Sequence, residues 1–269
     1  MSEPALSALL KEDFVTRTDD FPDAVIARIA GLLDEFHTGD HLTLSELSTR
    51  TGLPRSSAHR LLSQLAEYGW VSKRGKAYAL GRTPLEWGAL ARKHDRLHRA
   101  ANPVLHELHS ATGLVVHLAV LDGGDVRYVD KVGRGPLALP SRIGGRQPAH
   151  RTALGKALLA HTRFDVVRPA PGGVPTVENL LPRNEIARIR ERHIAHEREE
   201  STPGAACVAA PIGNGRTYVA ALSVTGPVNT VDTVGLATPV RLAARAVWRA
   251  LSPNESQHAS GPASQRTSA

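Results

Sequence analysis

Residues 43–70, TLSELSTRTGLPRSSAHRLLSQLAEYGW, constrain the fold of this chain more than any other stretch. Two helical patterns meet at a turn containing Gly52, and the second opens with Pro54, Arg55, Ser56 and Ser57. This is the layout of a helix-turn-helix, whose second helix enters the major groove with its N-terminal side chains facing base edges. Pro54 is expected at the first helical position, where its missing N–H would have had no partner. Arg55, Ser56, Ser57, His59 and Arg60 supply donors and charge. Ala58, Leu61, Leu62 and Leu65 recur at the spacing that docks a helix on its own domain. A plain helical hairpin with a solvated basic face would read the same way, so the flanking sequence has to decide.

It favours DNA. Gly69 and Trp70 end the second helix, and VSKRGKAYALG then reads as strand, basic turn at Lys73, Arg74 and Lys76, and strand. A two-stranded ribbon after a recognition helix is a wing, and its basic tip would lie along phosphates. Residues 50–99 hold eleven Lys and Arg against three Asp and Glu, a net +8, whereas the whole chain carries +7. Positive charge confined to one module is the footprint of duplex DNA binding, while a merely solvated face interleaves both signs.

A chain of 269 residues, 41% hydrophobic, is long enough for two domains. No apolar run reaches the ~18–20 residues of a membrane span, and MSEPALSALLKEDF lacks the basic start and apolar centre of a signal peptide. With Cys207 as its single cysteine, the chain has no disulfide framework and no CxxC-type zinc site. The expected location is the cytoplasm, and no cofactor or metal is expected.

Residues 1–20 read as a flexible arm, 21–82 as a winged helix-turn-helix domain, 83–102 as a linker helix, 103–251 as a second domain and 252–269 as a disordered tail. The linker opens with Thr83 as N-cap and Pro84 in its first turn, and carries Leu85, Leu90 and Leu97 on one stripe. The second domain starts with a helix at Pro103. LVVHLAVL and DVRYVDKV form a hairpin across Asp122-Gly123-Gly124, and CVAAPIG and YVAALSV another across Asn214-Gly215. Helices are expected over 151–163, 183–199 and 230–251. Hairpins alternating with helices imply an α+β domain on an antiparallel sheet.

These blocks resemble an IclR-type transcriptional regulator: a winged helix-turn-helix, a linker helix and a GAF-like α/β effector-binding domain. The resemblance rests on LSELSTRTGLPRSSAHRLLSQL, VHLAVLDGGDVRYVDKV, RIGGRQPAHRTALGKALLA, PGAACVAAPI and AALSVTGP, in that order over about 230 residues. It implies a homodimer or homotetramer, double-stranded operator DNA as one partner and a small-molecule effector, often an organic acid, as the other. It also implies an effector pocket built from the backbone amides of Ala153 and Leu154 and the side chains of Glu197, Cys207, Ser223 and Thr225. A helix N-terminus suits an anionic head.

Three other motifs fail. Gly133-x-Gly135-x-x-Ala138 follows a strand, but Pro136 and Pro140 forbid the helix that would hold a pyrophosphate. Gly155-Lys156 lacks the leading glycine and the hydroxyl of a P-loop. The His94/His98 pair lies on a basic helix where solvation is the plainer reading than metal. The reading from another class is a GAF-like binding or thiol-dependent catalytic protein using Cys207, with the N-terminal module serving only dimerisation. A pure dimerisation module has no need of the +8 charge.

Overall fold

The computed structural model describes residues 25–162 and 180–252, which divide into two compact units between Asp95 and Arg96. The expected N-terminal arm and all of the tail beyond Ser252 lie outside the described residues.

In the first unit, α1 (Val25–Asp34) runs into a 3-10 turn, Glu35–His37. The short β1 (Leu42–Thr43) leads to α2 (Leu44–Thr51), fixed by a reciprocal cap between Thr43 and Glu46. After the turn at Gly52 comes α3 (Arg55–Glu67), then β2 (Val71–Arg74) and β3 (Ala77–Leu80). The three strands pair antiparallel in the order β1-β3-β2. Leu32, Leu47, Leu61, Leu62, Val71 and Tyr78 meet in one core, so helices and wing fold as a unit. Helix α4 (Arg82–His94) follows, with Trp87 edge-on to Trp70 at a centroid distance of 4.7 Å.

The second unit begins with α5 (Arg96–Thr112) and builds on one antiparallel sheet in the order β6-β5-β4-β9-β8-β7. These are β4 (Val115–Asp122), β5 (Asp125–Val132), β6 (Arg146–Pro148), β7 (Ala195–Arg198), β8 (Ala205–Gly213) and β9 (Tyr218–Pro227). Side chains alternate across the sheet, and each face has its own core. Val116, Leu118, Val208, Leu222 and Val224 meet α5 and α8 (Ala237–Leu251) on one face. Ala119, Tyr128, Cys207, Ala209 and Ala221 meet α6 (Ala153–Leu159) and α7 (Arg183–Arg192) on the other. The α+β class and antiparallel sheet expected from the hairpins are present.

Several expected boundaries move. Leu90 and Leu97 are seven residues apart, so the pattern runs through Asp95 with no visible break. The chain nevertheless turns extended there (ψ 110°), and α5 continues through Pro103 instead of starting at it. The buried stripe Leu97, Ala101, Leu105 and Leu108 holds that helix against the loss of one hydrogen bond at the proline. Leu97 therefore belongs to the second unit's core, while Leu85 and Leu90 stay exposed on α4. Pro54 is the N-cap of α3, not its first residue. Thr83 lies inside α4, whose N-cap is Gly81, and donates its hydroxyl to Tyr68 O at 3.0 Å. The helix expected over 183–199 stops at His193, in the left-handed region, and 195–198 is strand. The final helix starts at Ala237 rather than 230.

Candidate functional site

On α3, Ala58, Leu61, Leu62 and Leu65 are buried. Arg55, Ser56, His59 and Arg60 face solvent, with Ser57 half-buried beside them. A free helix face carrying two guanidiniums, an imidazole and hydroxyls can meet both phosphates and base edges. At the wing, Arg74 pairs with Ala77, leaving Gly75-Lys76 as a two-residue turn. Gly75 has φ 60° and Lys76 does not, the sign pattern of a type II′ hairpin, which requires glycine first. That turn presents Lys73, Arg74 and Lys76 to solvent together. Across the ribbon from Tyr78, Lys73 Nζ also lies 5.6 Å from the Tyr78 ring centroid.

The second unit holds a small cavity, part of it open to solvent, lined by all six residues expected of the effector pocket: Ala153, Leu154, Glu197, Cys207, Ser223 and Thr225. Register explains how they meet. Glu197 pairs with Cys207, and Cys207 with Thr225, so these three lie side by side across β7, β8 and β9. Ser223 is two residues along β9 from Thr225 and so shares its face; it pairs with His117 on β4. Ala153 and Leu154 arrive from above, at the start of α6. Thr152 caps that helix by accepting from Gly155 N at 3.0 Å. A Cβ at Gly155 would stand 2.1 Å from Ala149 O, so only glycine lets the helix approach this closely.

His117, Tyr128, Ser141 and Gln147 also line the cavity, and no pattern in the sequence points to them. His117 Nε2 lies 2.8 Å from Ser141 Oγ, and its Nδ1 lies 3.5 Å from Thr225 Oγ1. The Thr225 hydroxyl donates to Cys207 Sγ at 3.1 Å. Burial, then the nearby Lys131 ammonium, pushes His117 down to about 3, so the ring is neutral at pH 7. Tyr128 donates to Gln147 Oε1 at 2.9 Å, and burial raises its phenol. Burial raises the Glu197 carboxyl, against the amides of Ser201 and Glu200 that donate to its Oε1. The buried Ser223 hydroxyl, near the Cys207 thiol but without hydrogen-bond geometry to it, has no partner. The cavity wall is therefore polar and largely bonded within itself, with the Ser223 hydroxyl left to meet a small polar ligand.

Burial pushes the Cys207 thiol up to about 11, so it is protonated near neutral pH. Among the described residues no group of three or more His, Cys, Asp or Glu could hold a metal, and no helix is long and apolar enough to cross a membrane.

Comparison with known proteins agrees with both halves. Residues 25–75 match the model of the IclR helix-turn-helix domain, and residues 89–249 that of the bacterial transcriptional regulator IclR C-terminal. The chain is 32% identical over 229 residues to the HTH-type transcriptional regulator XynR of Escherichia coli, covering 79% of this chain and 89% of XynR. It is 31% identical to KdgR of the same organism, covering 72% of this chain and 79% of KdgR. The crystal structure of the Thermotoga maritima IclR superposes with a TM-score of 0.65 at 25% identity, over 84% of this chain and 98% of that one. An IclR homologue from Microbacterium hydrocarbonoxydans, solved in complex with 4-hydroxybenzoate, shares the fold with a TM-score of 0.74 at 24% identity, over 86% of this chain and all of that one. With both of its halves matched in order, this chain belongs to the IclR family of helix-turn-helix transcriptional regulators.

Proposed function

We propose that this regulator binds operator DNA through α3 and the wing, and that a small molecule seated in the cavity of the second unit controls that binding. Arg55, Ser56, Ser57, His59 and Arg60 read the major groove, and Lys73, Arg74 and Lys76 hold the flanking phosphates. The single observation that carries effector control is the Ser223 hydroxyl, fully buried, lining the cavity and unpartnered. Buried polar groups are nearly always satisfied, so an orphan facing a cavity suits a ligand that completes it. Glu197, Cys207 and Thr225 complete the polar wall, and the amides of Ala153 and Leu154 suit the carboxylate of a small organic acid. The raised Glu197 carboxyl limits repulsion between two acids in one pocket.

The regulator acts as a homodimer or a tetramer built from it. Support comes from α4, which leaves Leu85 and Leu90 more than half exposed. Helix-turn-helix proteins commonly read paired half-sites with two-fold symmetry. The thiol-catalytic alternative loses its support with a protonated, buried Cys207.

A thermal-shift screen of the full chain against small organic acids, 4-hydroxybenzoate among them, tests the effector reading. A ligand that binds only the folded state raises the melting temperature with concentration. The expected hit raises the melting temperature of the wild type and loses that effect in Ser223→Ala. A hit that stabilises both proteins equally would place the effector elsewhere.

A further inference from the structure

Lys156 is an anomaly on the cavity side of the sheet. Its side chain is only 4% exposed, yet it carries an ammonium, and it does not line the cavity. Burying such a charge is strongly unfavourable unless it is paired well. Lys156 is paired twice: its Nζ lies 2.6 Å from Glu200 Oε1 and 3.0 Å from Glu185 Oε1. Glu185 is in the first turn of α7, and Glu200 is in the loop of residues 199–204 that joins β7 to β8.

That loop contributes Ser201 and Thr202 to the cavity wall, and it is held at several points. Arg151 Nε donates to Glu200 O at 2.9 Å. The amides of Glu200 and Ser201 donate to Glu197 Oε1 at 2.6 and 2.9 Å. Glu199 sits at φ 60°, a left-handed conformation unfavourable for a residue with a side chain, so the surrounding bonds must impose it. The ammonium, the loop and the Glu197 wall form one connected set of contacts.

We propose that Lys156 is a positioning residue for the effector cavity: its buried ammonium clasps Glu200 to Glu185 and so holds the 199–204 loop closed against the Glu197 wall. Opening the clasp frees the loop and exposes the floor of the cavity, including Cys207. Both partners of Lys156 are partly exposed and can rehydrate when it is lost, so the clasp can open without the sheet unfolding. This rests on the cavity being the effector site, but its test uses no effector. Failure of the clasp would leave the effector reading standing, and failure of the effector reading would leave the clasp.

Cys207, the single cysteine of the chain, is the reporter. Iodoacetamide is applied to the full chain at pH 8, with amide hydrogen exchange followed in parallel. In Lys156→Met the alkylation rate should rise by about tenfold or more, through access and through easier ionisation of a thiol that burial now holds near 11. The amides of Glu200 and Ser201 should lose protection, those of Val116 and Leu222 in the opposite core should keep it, and Lys156→Arg should restore both readouts. Wild-type alkylation and protection in Lys156→Met would overturn the proposal, as would loss of protection spread evenly over both cores. Should Lys156→Met not fold, Glu200→Gln at the partly exposed end carries the test. It should speed alkylation by about threefold or more, and an unchanged rate overturns the clasp.

Discussion

Ser223 on β9 stands directly across from His117 on β4, and the two buried side chains differ in one respect: the imidazole is engaged at both nitrogens while the hydroxyl has no partner. An unsatisfied buried hydroxyl costs about 1–3 kcal/mol, and a methyl group in its place costs little. Ser223→Ala is therefore expected to leave the ligand-free protein as stable as the wild type or slightly more so, by denaturant unfolding. A loss beyond about 1 kcal/mol would mean that the hydroxyl is satisfied in the free protein.

The same pair gives a pH dependence. His117 is held down to about 3 in the folded chain, chiefly by burial and then by Lys131, against about 6.5 when unfolded. Above pH 6.5 neither state takes the proton. As pH falls from 6.5 towards 3 the unfolded chain takes it and the folded chain does not, so stability drops by up to about 1.4 kcal/mol per pH unit from this group. His117→Gln should make the fall in stability between pH 6 and pH 4 shallower by about one proton's worth. An unchanged slope would mean that the ring is protonated inside the fold.

How much of this was legible in the sequence differs by element. Helix α3 was, because Ala58, Leu61, Leu62 and Leu65 mark its buried face and Arg55 and Arg60 its free one. The floor of the cavity was legible only through the family resemblance, which names Ser223 and Thr225; their alternation along a strand adds that they share one face. Strand β7 was not: in Ala195-His196-Glu197-Arg198 only every second residue is buried, and charges on both sides hid a period of two within an apparently helical run. His117, Tyr128 and Ser141 were not either. Their meeting with Ser223 depends on pairing between strands about a hundred residues apart, and no local pattern encodes that register.

Gly155 fixes how closely α6 approaches the turn at Ala149. Gly155→Ala would drive a methyl group into the Ala149 carbonyl, and backbone cannot yield as a flexible side chain does. The expected cost is about 1–3 kcal/mol, read as a lower melting temperature, together with weaker effector binding because Ala153 and Leu154 shift. A variant with wild-type stability and effector affinity would show that the helix has room to spare.

On the proposed DNA-binding face of α3, Arg60→Ala is expected to weaken operator binding by about 1–3 kcal/mol in a gel-shift titration with the melting temperature unchanged. Neutralising Lys73, Arg74 and Lys76 together should instead weaken operator and random duplex alike. It should also flatten the plot of log affinity against log salt, by about 0.9 for each phosphate that the wing no longer neutralises. A loss confined to the operator would mean that the wing reads bases.

If a ligand in the sheet cavity governs the DNA-binding unit, the double variant Ser223→Ala/Thr225→Val should uncouple the two. Its operator binding is measured by gel shift with and without the acid that stabilises the wild type. The variant is expected to bind the operator with wild-type affinity in the absence of ligand and to show no response when ligand is added. A variant that still releases or gains DNA at the wild-type effector concentration would contradict control from this cavity.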